Sequence, residues 1–169
     1  MATPTDTSQQ KNMAFMQHLE ELRRRLFYCS IVLLISALLC WNWAPLFFNY
    51  LLLPLQKVTT APLIVLTPLE MFVTYLKLAI LVGSLITSPF ALLQLWLFVA
   101  PGLHQHERRF IMPFIILGSI LFIGGAAFAF YGVMPIGFDY LQTLLPSTVQ
   151  ATYSVESYMS LVVQMMWAF

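Results

Sequence analysis

The sequence predicts an all-α polytopic membrane protein, and three observations lead to that fold class. The chain of 169 residues is 60% hydrophobic and only 9% charged, whereas soluble globular domains carry about 25% charged residues. Its mean hydropathy is +0.81. Its charges are clustered, so that long apolar runs separate them. These features exclude a soluble domain, and the net charge of +1 excludes binding to nucleic acid by phosphate neutralisation.

Apolar runs between the charge clusters predict three spans, at residues 26–45, 70–93 and 110–131. Each can cross a hydrocarbon core of roughly 30 Å as a helix that rises about 1.5 Å per residue. A fourth run, residues 158–169, covers only about 18 Å and is too short to cross. We expect residues 1–12 to be a flexible N-terminus. Residues 13–169 are expected to form one incomplete membrane domain that ends inside its fourth span, as a fragment of a longer chain.

The basic residues predict how the spans are oriented. Arg23–Arg25 precede the first span, and Arg108 and Arg109 lie between the second and the third, whereas the loops on the other side offer only Lys57. The positive-inside rule then places the N-terminus and the loop of residues 101–109 in the cytoplasm. We expect a multi-pass protein of the bacterial inner membrane.

An amphipathic helix is predicted over residues 13–26, where it leads into the first span. Apolar residues recur along it at three- and four-residue spacing: Met16, Leu19, Leu22 and Leu26. Its acidic residues precede its basic residues, which suits the helix dipole. The i,i+4 spacing allows Glu20 to pair with Arg24 and Glu21 to pair with Arg25.

Capping residues and prolines mark the predicted helix ends. Thr67, Pro68 and Glu70 fit the N-cap, first and third positions of a helix, as in a capping box. Ser154 is an N-cap candidate for the last apolar run. We expect kinks or helix ends at the prolines in or near membrane segments: Pro89, Pro113 and Pro135.

Two polar clusters flank the spans on the predicted cytoplasmic side. Residues 18–25 either anchor the topology, with acids that neutralise neighbouring bases, or leave a carboxylate that accepts a cationic partner at the membrane surface. Residues 104–109 allow the same two interpretations, with Glu107 as the carboxylate. The His-x-His-Glu run in that loop lacks a distant third ligand, so no metal site is expected.

Lys77 is unusual on energetic grounds, because a charge at the centre of a membrane helix costs about 2.5–3.5 kcal/mol on insertion scales. Two interpretations stay open at this point. The side chain either snorkels to the interface, or it makes an interhelical contact or lines a polar cavity.

Nothing in the sequence predicts an enzyme. It contains no H-E-x-x-H, G-x-S-x-G or P-loop motif. The two cysteines, Cys29 and Cys40, share one apolar run and do not make a disulfide framework.

At its polar clusters the chain resembles the TatC family, the core receptor subunit of the twin-arginine protein translocase. Phe15–Leu26 (FMQHLEELRRRL) is similar to the family's N-terminal signature H-L-x-E-L-R-x-R. Leu95–Arg109 (LWLFVAPGLHQHERR) is similar to its first cytoplasmic loop, W-x-F-x-x-P-x-L-x-x-x-E-R. Thr67–Lys77 is similar to the start of the second helix of the family, and Gly124–Phe138 to the end of the third.

The resemblance implies a fold and a function. The fold is a concave, six-span helical bundle, of which this chain supplies three complete transmembrane helices and part of a fourth. The implied function is that of a membrane receptor that binds Arg-Arg signal peptides of folded proteins for export driven by the proton-motive force. The implied partners are TatB and TatA, with further copies of the chain in a TatB–TatC complex, and no cofactor is implied.

The resemblance also implies roles for particular residues. The positions that match the two motifs are expected to bind the signal peptide: Glu21, Arg23, Phe98, Pro101, Leu103, Glu107, Arg108 and Arg109. Pro54, Glu70 and Lys77 are further structural or functional candidates. Two alternatives come from other classes. One is a small transporter or channel-like protein, which should show a repeat and a polar midplane pathway, and the other is a structural membrane protein without a substrate.

Overall fold

A computed structural model describes residues 4–58, 63–100, 111–143 and 153–169. Within these ranges every regular element is helical, which confirms the predicted fold class. In chain order the α-helices are α1 Pro4–Trp41, α2 Ala44–Leu51, α3 Leu53–Val58, α4 Glu70–Val99, α5 Ile111–Phe128, α6 Met134–Thr143 and α7 Val155–Ala168. A π-helical turn, Ala129–Val133, joins α5 to α6.

Three helical segments are long and apolar enough to cross a membrane. They are Met16–Trp41 with 26 residues, Glu70–Val99 with 30 and Ile111–Leu141 with 31. A span needs about 20 residues, so each of these segments exceeds the hydrocarbon thickness. The chain is therefore a multi-pass membrane protein, and the second and third spans continue beyond their predicted ends at residues 93 and 131.

The first helix both begins and ends earlier in the chain than predicted. It begins at Pro4, inside the segment expected to be flexible, because Pro suits a first helical position and the Gln and Lys residues that follow favour helix. It ends at Trp41, before the predicted limit at residue 45. Pro45 instead occupies the first turn of α2, where its missing N–H is no loss.

Close contact between α1 and α4 depends on small residues. A Cβ atom added to Gly83 would lie 2.9 Å from Ser36 Oγ and 3.0 Å from the backbone nitrogen of Ala37. The Ser36 hydroxyl lies 2.9 Å from the Leu33 carbonyl oxygen and 3.3 Å from that of Gly83. Lipid tails are as apolar as the helix surfaces, so the hydrophobic effect does not drive helices together in a bilayer. Close approach of the two backbones provides van der Waals packing energy instead.

The third span continues past its predicted end at residue 131. Pro135 lacks an N–H and its ring clashes with the carbonyl four residues earlier, so an uninterrupted α-helix is disfavoured here. The π turn at Ala129–Val133 accommodates the proline, and the helix continues as α6 to Thr143. The expected break is therefore a local widening of the helix.

The short helices α2 and α3 and the start of α7 form what we call the capped end of the bundle. Its buried core contains Leu51, Leu55, Phe138 and Tyr158, among others. The Tyr158 hydroxyl donates to the Leu51 carbonyl oxygen at 2.7 Å, which satisfies one of the orphan acceptors at the end of α2. Pro54 is buried within α3, and α3 packs against α6.

Glu70 joins three segments at the capped end. Its side chain is only 2% exposed, and its carboxylate accepts backbone N–H bonds from Leu66 at 2.6 Å, Thr67 at 3.3 Å and Glu156 at 2.6 Å. The Glu half of the predicted capping box therefore forms, but the Thr67 half does not, because α4 begins only at Glu70 with Leu69 as N-cap. Ser154 caps α7 as predicted, and its Oγ accepts from the Ser157 N–H at 3.1 Å.

Lys77 makes an interhelical contact, which decides between the two interpretations left open by the sequence. Its Nζ donates to Glu156 Oε1 at 3.1 Å and to Ser160 Oγ at 2.8 Å, so it connects α4 to α7. The Lys77 and Glu156 side chains are 34% and 47% exposed, so the pair lies at the edge of the helix interface.

Replacement of Gly83 should weaken the bundle. Gly83→Ala should lower the free energy of unfolding by about 1–3 kcal/mol, because overpacking forces α1 and α4 apart. The matched control is Gly124→Ala in α5, where an added Cβ meets nothing within 4 Å. Unfolding in mixed micelles should show a loss for the first variant and none for the second, and equal effects would contradict the close α1–α4 contact.

The Lys77–Glu156 pair should contribute a measurable coupling energy. Interhelical polar contacts in membranes contribute about 0.6–1.7 kcal/mol in double-mutant cycles. We expect a coupling of about 1 kcal/mol between Lys77→Met and Glu156→Gln, measured as the free energy of unfolding of both single variants and the double variant. Strictly additive single effects would show that the two side chains do not interact.

Candidate functional site

At the end of the bundle opposite the capped end, α1 and α4 are joined through one guanidinium group. We call this end, which carries Arg23–Arg25 and the C-terminus of α4, the arginine end. Arg25 Nη1 donates to Gln94 Oε1 on α4 at 3.2 Å. Arg25 Nε and Nη2 both donate to Glu21 Oε1, at 3.0 Å and 2.5 Å. The i,i+4 pair of Glu21 and Arg25 that the sequence predicts is therefore confirmed.

The Glu21–Arg25 pair positions a carboxylate more than it stabilises the fold. Arg25 is 21% exposed and Glu21 is 36% exposed, and partly solvated pairs of this kind contribute about 0–1 kcal/mol. Both hydrogen bonds from Arg25 use the same oxygen, Oε1. The other oxygen, Oε2, lies 4.0 Å from His18 Nδ1. One carboxylate oxygen is thus fixed by Arg25, and the other is available to a second cation.

An aromatic pair stands beside this carboxylate. The rings of His18 on α1 and Phe98 on α4 stack with their centroids 4.2 Å apart and an interplanar angle of 14°. Two residues before Phe98, Trp96 on α4 meets Phe114 on α5 edge to face, with ring centroids 4.7 Å apart. The aromatic side chains hold the end of α4 between its two neighbours, and they give the carboxylate an apolar flank.

The remaining arginines of the cluster do not bind this carboxylate. Arg24 Nε donates to the Tyr28 hydroxyl at 3.2 Å, and its guanidinium carbon lies 5.7 Å from the centre of the Tyr28 ring. Arg24 therefore does not make the predicted pair with Glu20. Tyr28, like Glu20, lies four residues from Arg24, and it offers both a hydrogen bond and a cation–π contact. Arg23 is exposed on α1.

The predicted site residues fall into three groups. Glu21, Arg23 and Phe98 lie together at the arginine end. Pro54, Glu70 and Lys77 lie at or near the capped end and contribute to packing there. The other predicted binding residues lie outside the described part of the chain: Pro101, Leu103, Glu107, Arg108 and Arg109.

Sequence reasoning missed Gln94 as a member of this site. Its contact with Arg25 joins residues 69 positions apart, so no local spacing could reveal it. The available signal was a lone amide in an otherwise apolar turn near the end of a predicted span. A polar side chain in that environment is expected to find a partner on a neighbouring helix.

The chemistry of the arrangement is that of a cation acceptor. A carboxylate with a free oxygen, next to stacked rings, can receive a guanidinium or ammonium group. In the described ranges, no group of three or more His, Cys, Asp or Glu side chains could hold a metal ion. Fold and site together define a polytopic helical membrane protein with a carboxylate-bearing polar cluster where its first two spans end.

Comparisons with known proteins identify the family. The family model described as "Sec-independent protein translocase protein (TatC)" matches residues 17–169. A curated protein of that description from Koribacter versatilis is 39% identical over 136 residues, and one from Escherichia coli K12 is 34% identical over 154 residues. These alignments cover 78% and 90% of this chain. The chain belongs to the TatC family, which forms part of a protein translocase and so has a role in transport.

A solved structure supports the same assignment at the level of the fold. It is described as "Crystal Structure of Twin Arginine Translocase Receptor- TatC", and it matches with a TM-score of 0.82 and 35% identity. The match covers 89% of this chain and 68% of that chain. The chain spans 50% of the Koribacter relative and 60% of the Escherichia coli relative.

The link through Arg25 should hold the arginine end of α1 against α4. Arg25→Gln removes the contacts to Glu21 and Gln94, and we expect amide hydrogen exchange across residues 18–26 to become severalfold faster. Arg24→Gln is the matched control, because it removes the same charge from a side chain that bonds only to Tyr28 on its own helix. Equal exchange in the two variants would contradict the link.

Proposed function

We propose that this chain is the signal-receiving part of a twin-arginine translocase. In this role it binds the Arg-Arg signal peptides of folded proteins, whose export is driven by the proton-motive force. The observation that carries the proposal is the position of Glu21. Its carboxylate is partly exposed, has one oxygen fixed by Arg25, and has its other oxygen 4.0 Å from His18, whose ring stacks on Phe98 of α4. The description of the matching solved structure as a receptor supports the same function.

The chemistry of a guanidinium group suits this carboxylate. Guanidinium is a planar fork that can donate two parallel hydrogen bonds to a carboxylate, whereas the ammonium of lysine is a point charge without that geometry. Arg25 leaves Oε2 of Glu21 open, and two N–H groups of an incoming guanidinium could both donate to that oxygen, as Nε and Nη2 of Arg25 do to Oε1. This difference gives a physical reason for discrimination between Arg-Arg and Lys-Lys signals.

The loop after α4 supplies the second half of the proposed surface. Two adjacent guanidinium groups need two acceptors, and Glu107 is the second carboxylate in this proposal. Pro101 and Leu103, with Phe98, would contact the hydrophobic part of the signal. Arg108 and Arg109 follow Glu107 in the motif and would belong to the same signal-binding surface. Arg23, which is exposed on α1 at the same end of the bundle, is a further member of the proposed signal-binding surface.

The proposed orientation places the arginine end in the cytoplasm of the bacterial inner membrane. Arg23–Arg25 and the C-terminus of α4 lie at one end of the bundle, and this excess of positive charge favours the cytoplasmic side. Folded cargo reaches the membrane from that side. We propose TatB and TatA as partners, with further copies of the chain in the same complex.

Neutralisation of Glu21 tests the proposal directly. Glu21→Gln should lower binding of an Arg-Arg signal peptide at least tenfold, because a hydrogen bond to a charged group contributes about 1.5–3 kcal/mol. Glu20→Gln, one residue away, is the matched control and should leave binding within twofold. Binding is measured with labelled peptide in native membranes, with a Lys-Lys peptide and a full-length relative as references. Unchanged binding in the Glu21→Gln, Glu107→Gln double variant would refute the assignment.

A photoreactive amino acid in place of Phe98 tests the location of the site. We expect an adduct with the Arg-Arg signal peptide and none with the Lys-Lys peptide. An adduct of equal yield with both peptides would show that Phe98 contacts any hydrophobic segment and that recognition of the arginines lies elsewhere.

A further inference from the structure

The hydrogen bond between Arg25 and Gln94 marks one edge of the hydrocarbon core of the bilayer, at the arginine end. No charged residue follows Arg25 on α1, and the charge-free part of α4 runs from Lys77 to its C-terminus. A hydrocarbon core of about 30 Å takes about 20 residues of helix. Counted back along α4 from Gln94, the opposite edge lies near Thr74, between Lys77 and Glu70.

The first helix is too short to reach that opposite edge. Only 16 residues of α1 follow Arg25 before the helix ends at Trp41, which corresponds to about 24 Å. About 6 Å of hydrocarbon therefore remains beyond the end of α1. The next element in the chain is α2, whose eight residues carry no charge.

A contact with α4 shows how deep α2 lies. Phe48 of α2 packs against Tyr75 of α4, with ring centroids 5.9 Å apart. Tyr75 is 19 residues from Gln94 along α4, so the contact lies about 28 Å from the edge at the arginine end. This depth falls at the opposite edge of the hydrocarbon core and not beyond it.

A contact with the third span gives a similar depth by an independent count. A Cβ added to Gly118 of α5 would lie 3.1 Å from Leu92 Cδ1, so Gly118 is about level with Leu92 near the arginine end. Tyr131 follows Gly118 by 13 residues, or about 20 Å. The ring of Tyr50 on α2 stacks on Phe130, and its hydroxyl contacts the Tyr131 hydroxyl. These two hydroxyl groups satisfy each other, which suits a layer where water is scarce.

The side of α2 that faces away from the core is apolar. Trp43, Leu46 and Tyr50 are exposed, at the three- and four-residue spacing of one helix face. This face continues the exposed apolar surface at the end of α1, which includes Leu38 and Leu39. Trp and Tyr are enriched where a membrane protein crosses the boundary between hydrocarbon and headgroups.

We propose that α2 is an interfacial helix that lies in the bilayer boundary at the capped end and contacts lipid through Trp43, Leu46 and Tyr50. It fills the layer that α1 does not reach, and it sets how deeply the capped end sits in the bilayer. The depth follows from helix lengths and contacts among described residues. Its continuity with the surface of a membrane span favours lipid as the occupant of this face. Signal-peptide binding is not needed for this placement.

Thiol labelling tests whether water reaches α2. Leu46→Cys and Met16→Cys are compared in nanodiscs, which leave both bilayer faces open, with Cys29 and Cys40 replaced by alanine. Leu46 and Met16 are each 66% exposed in the protein, but Met16 precedes Arg25 by nine residues, about 13 Å outside the hydrocarbon core. A water-soluble maleimide should label Leu46→Cys at least tenfold more slowly, because the reactive thiolate needs water. The two rates should be equal in denaturing detergent.

Fluorescence quenching tests whether lipid is what covers α2. Trp43 is kept as the single tryptophan, and the other three are replaced by phenylalanine. The chain is placed in phosphatidylcholine that carries bromine either near the headgroup or near the acyl chain end. Bromine near the headgroup should quench Trp43 at least twofold more strongly. The order should reverse for Leu34→Trp as the single tryptophan, because Leu34 is exposed on α1 nine residues into the span.

Two results would overturn the proposal. Equal labelling of Leu46→Cys and Met16→Cys in nanodiscs would place α2 in water. Slow labelling of Leu46→Cys without quenching of Trp43 by either brominated lipid would show that protein covers this face, either a second copy or another segment. Both measurements are made without signal peptide, so a failure of the receptor function would leave them unaffected.

Discussion

Water is absent from the hydrocarbon core of a bilayer, so polar groups buried there need partners within the protein. In the described part of the chain these partners come either from the same helix or from a neighbouring helix, and Thr74 Oγ1 departs from the rule because it is buried without a hydrogen-bond partner. Hydroxyl groups such as Thr87 and Ser119 donate to the backbone of their own helix, which makes them compatible with any neighbour. Charged groups find partners across helices, as Lys77 does with Glu156 on α7. Contacts between helices specify which helices are neighbours, and these include the cross-helix bonds of Lys77 and Arg25 as well as the close packing at Gly83.

The two ends of the bundle differ in how completely their charges are satisfied. At the capped end, Glu70 receives three backbone N–H groups, and the surrounding core is closed by α2 and α3. At the arginine end, Glu21 keeps one oxygen that Arg25 does not use. A closed polar network gives rigidity, whereas an incompletely paired one gives binding capacity. Under the proposed function, one end of the bundle would provide stability and the other end recognition.

Most of the fold follows from local properties of the sequence. Apolar length predicts where the three spans lie, but not where they end. The i,i+4 spacing predicts the pair of Glu21 and Arg25, but it equally predicts a pair of Glu20 and Arg24 that does not form. Contacts between distant residues could not be predicted from the sequence. Gln94 lies 69 positions from its partner Arg25, and Glu156 lies 79 positions from its partner Lys77. The predicted stop near residue 131 was wrong for a different reason. Proline disfavours an α-helix, but a helix can widen locally and continue, which sequence patterns do not distinguish from termination.

That widening has a rotational consequence. An α-helix turns by about 100° per residue, and a π turn accommodates one additional residue in a single turn. The residues after it are therefore set back by about 100° around the helix axis. Ile115, Ser119 and Ala126 are buried before the turn, and Met134 and Phe138 are buried after it. With the set-back, all five lie along one continuous stripe. In a regular helix the last two would lie about 100° away from that stripe, so the extra residue keeps the span in phase with its core.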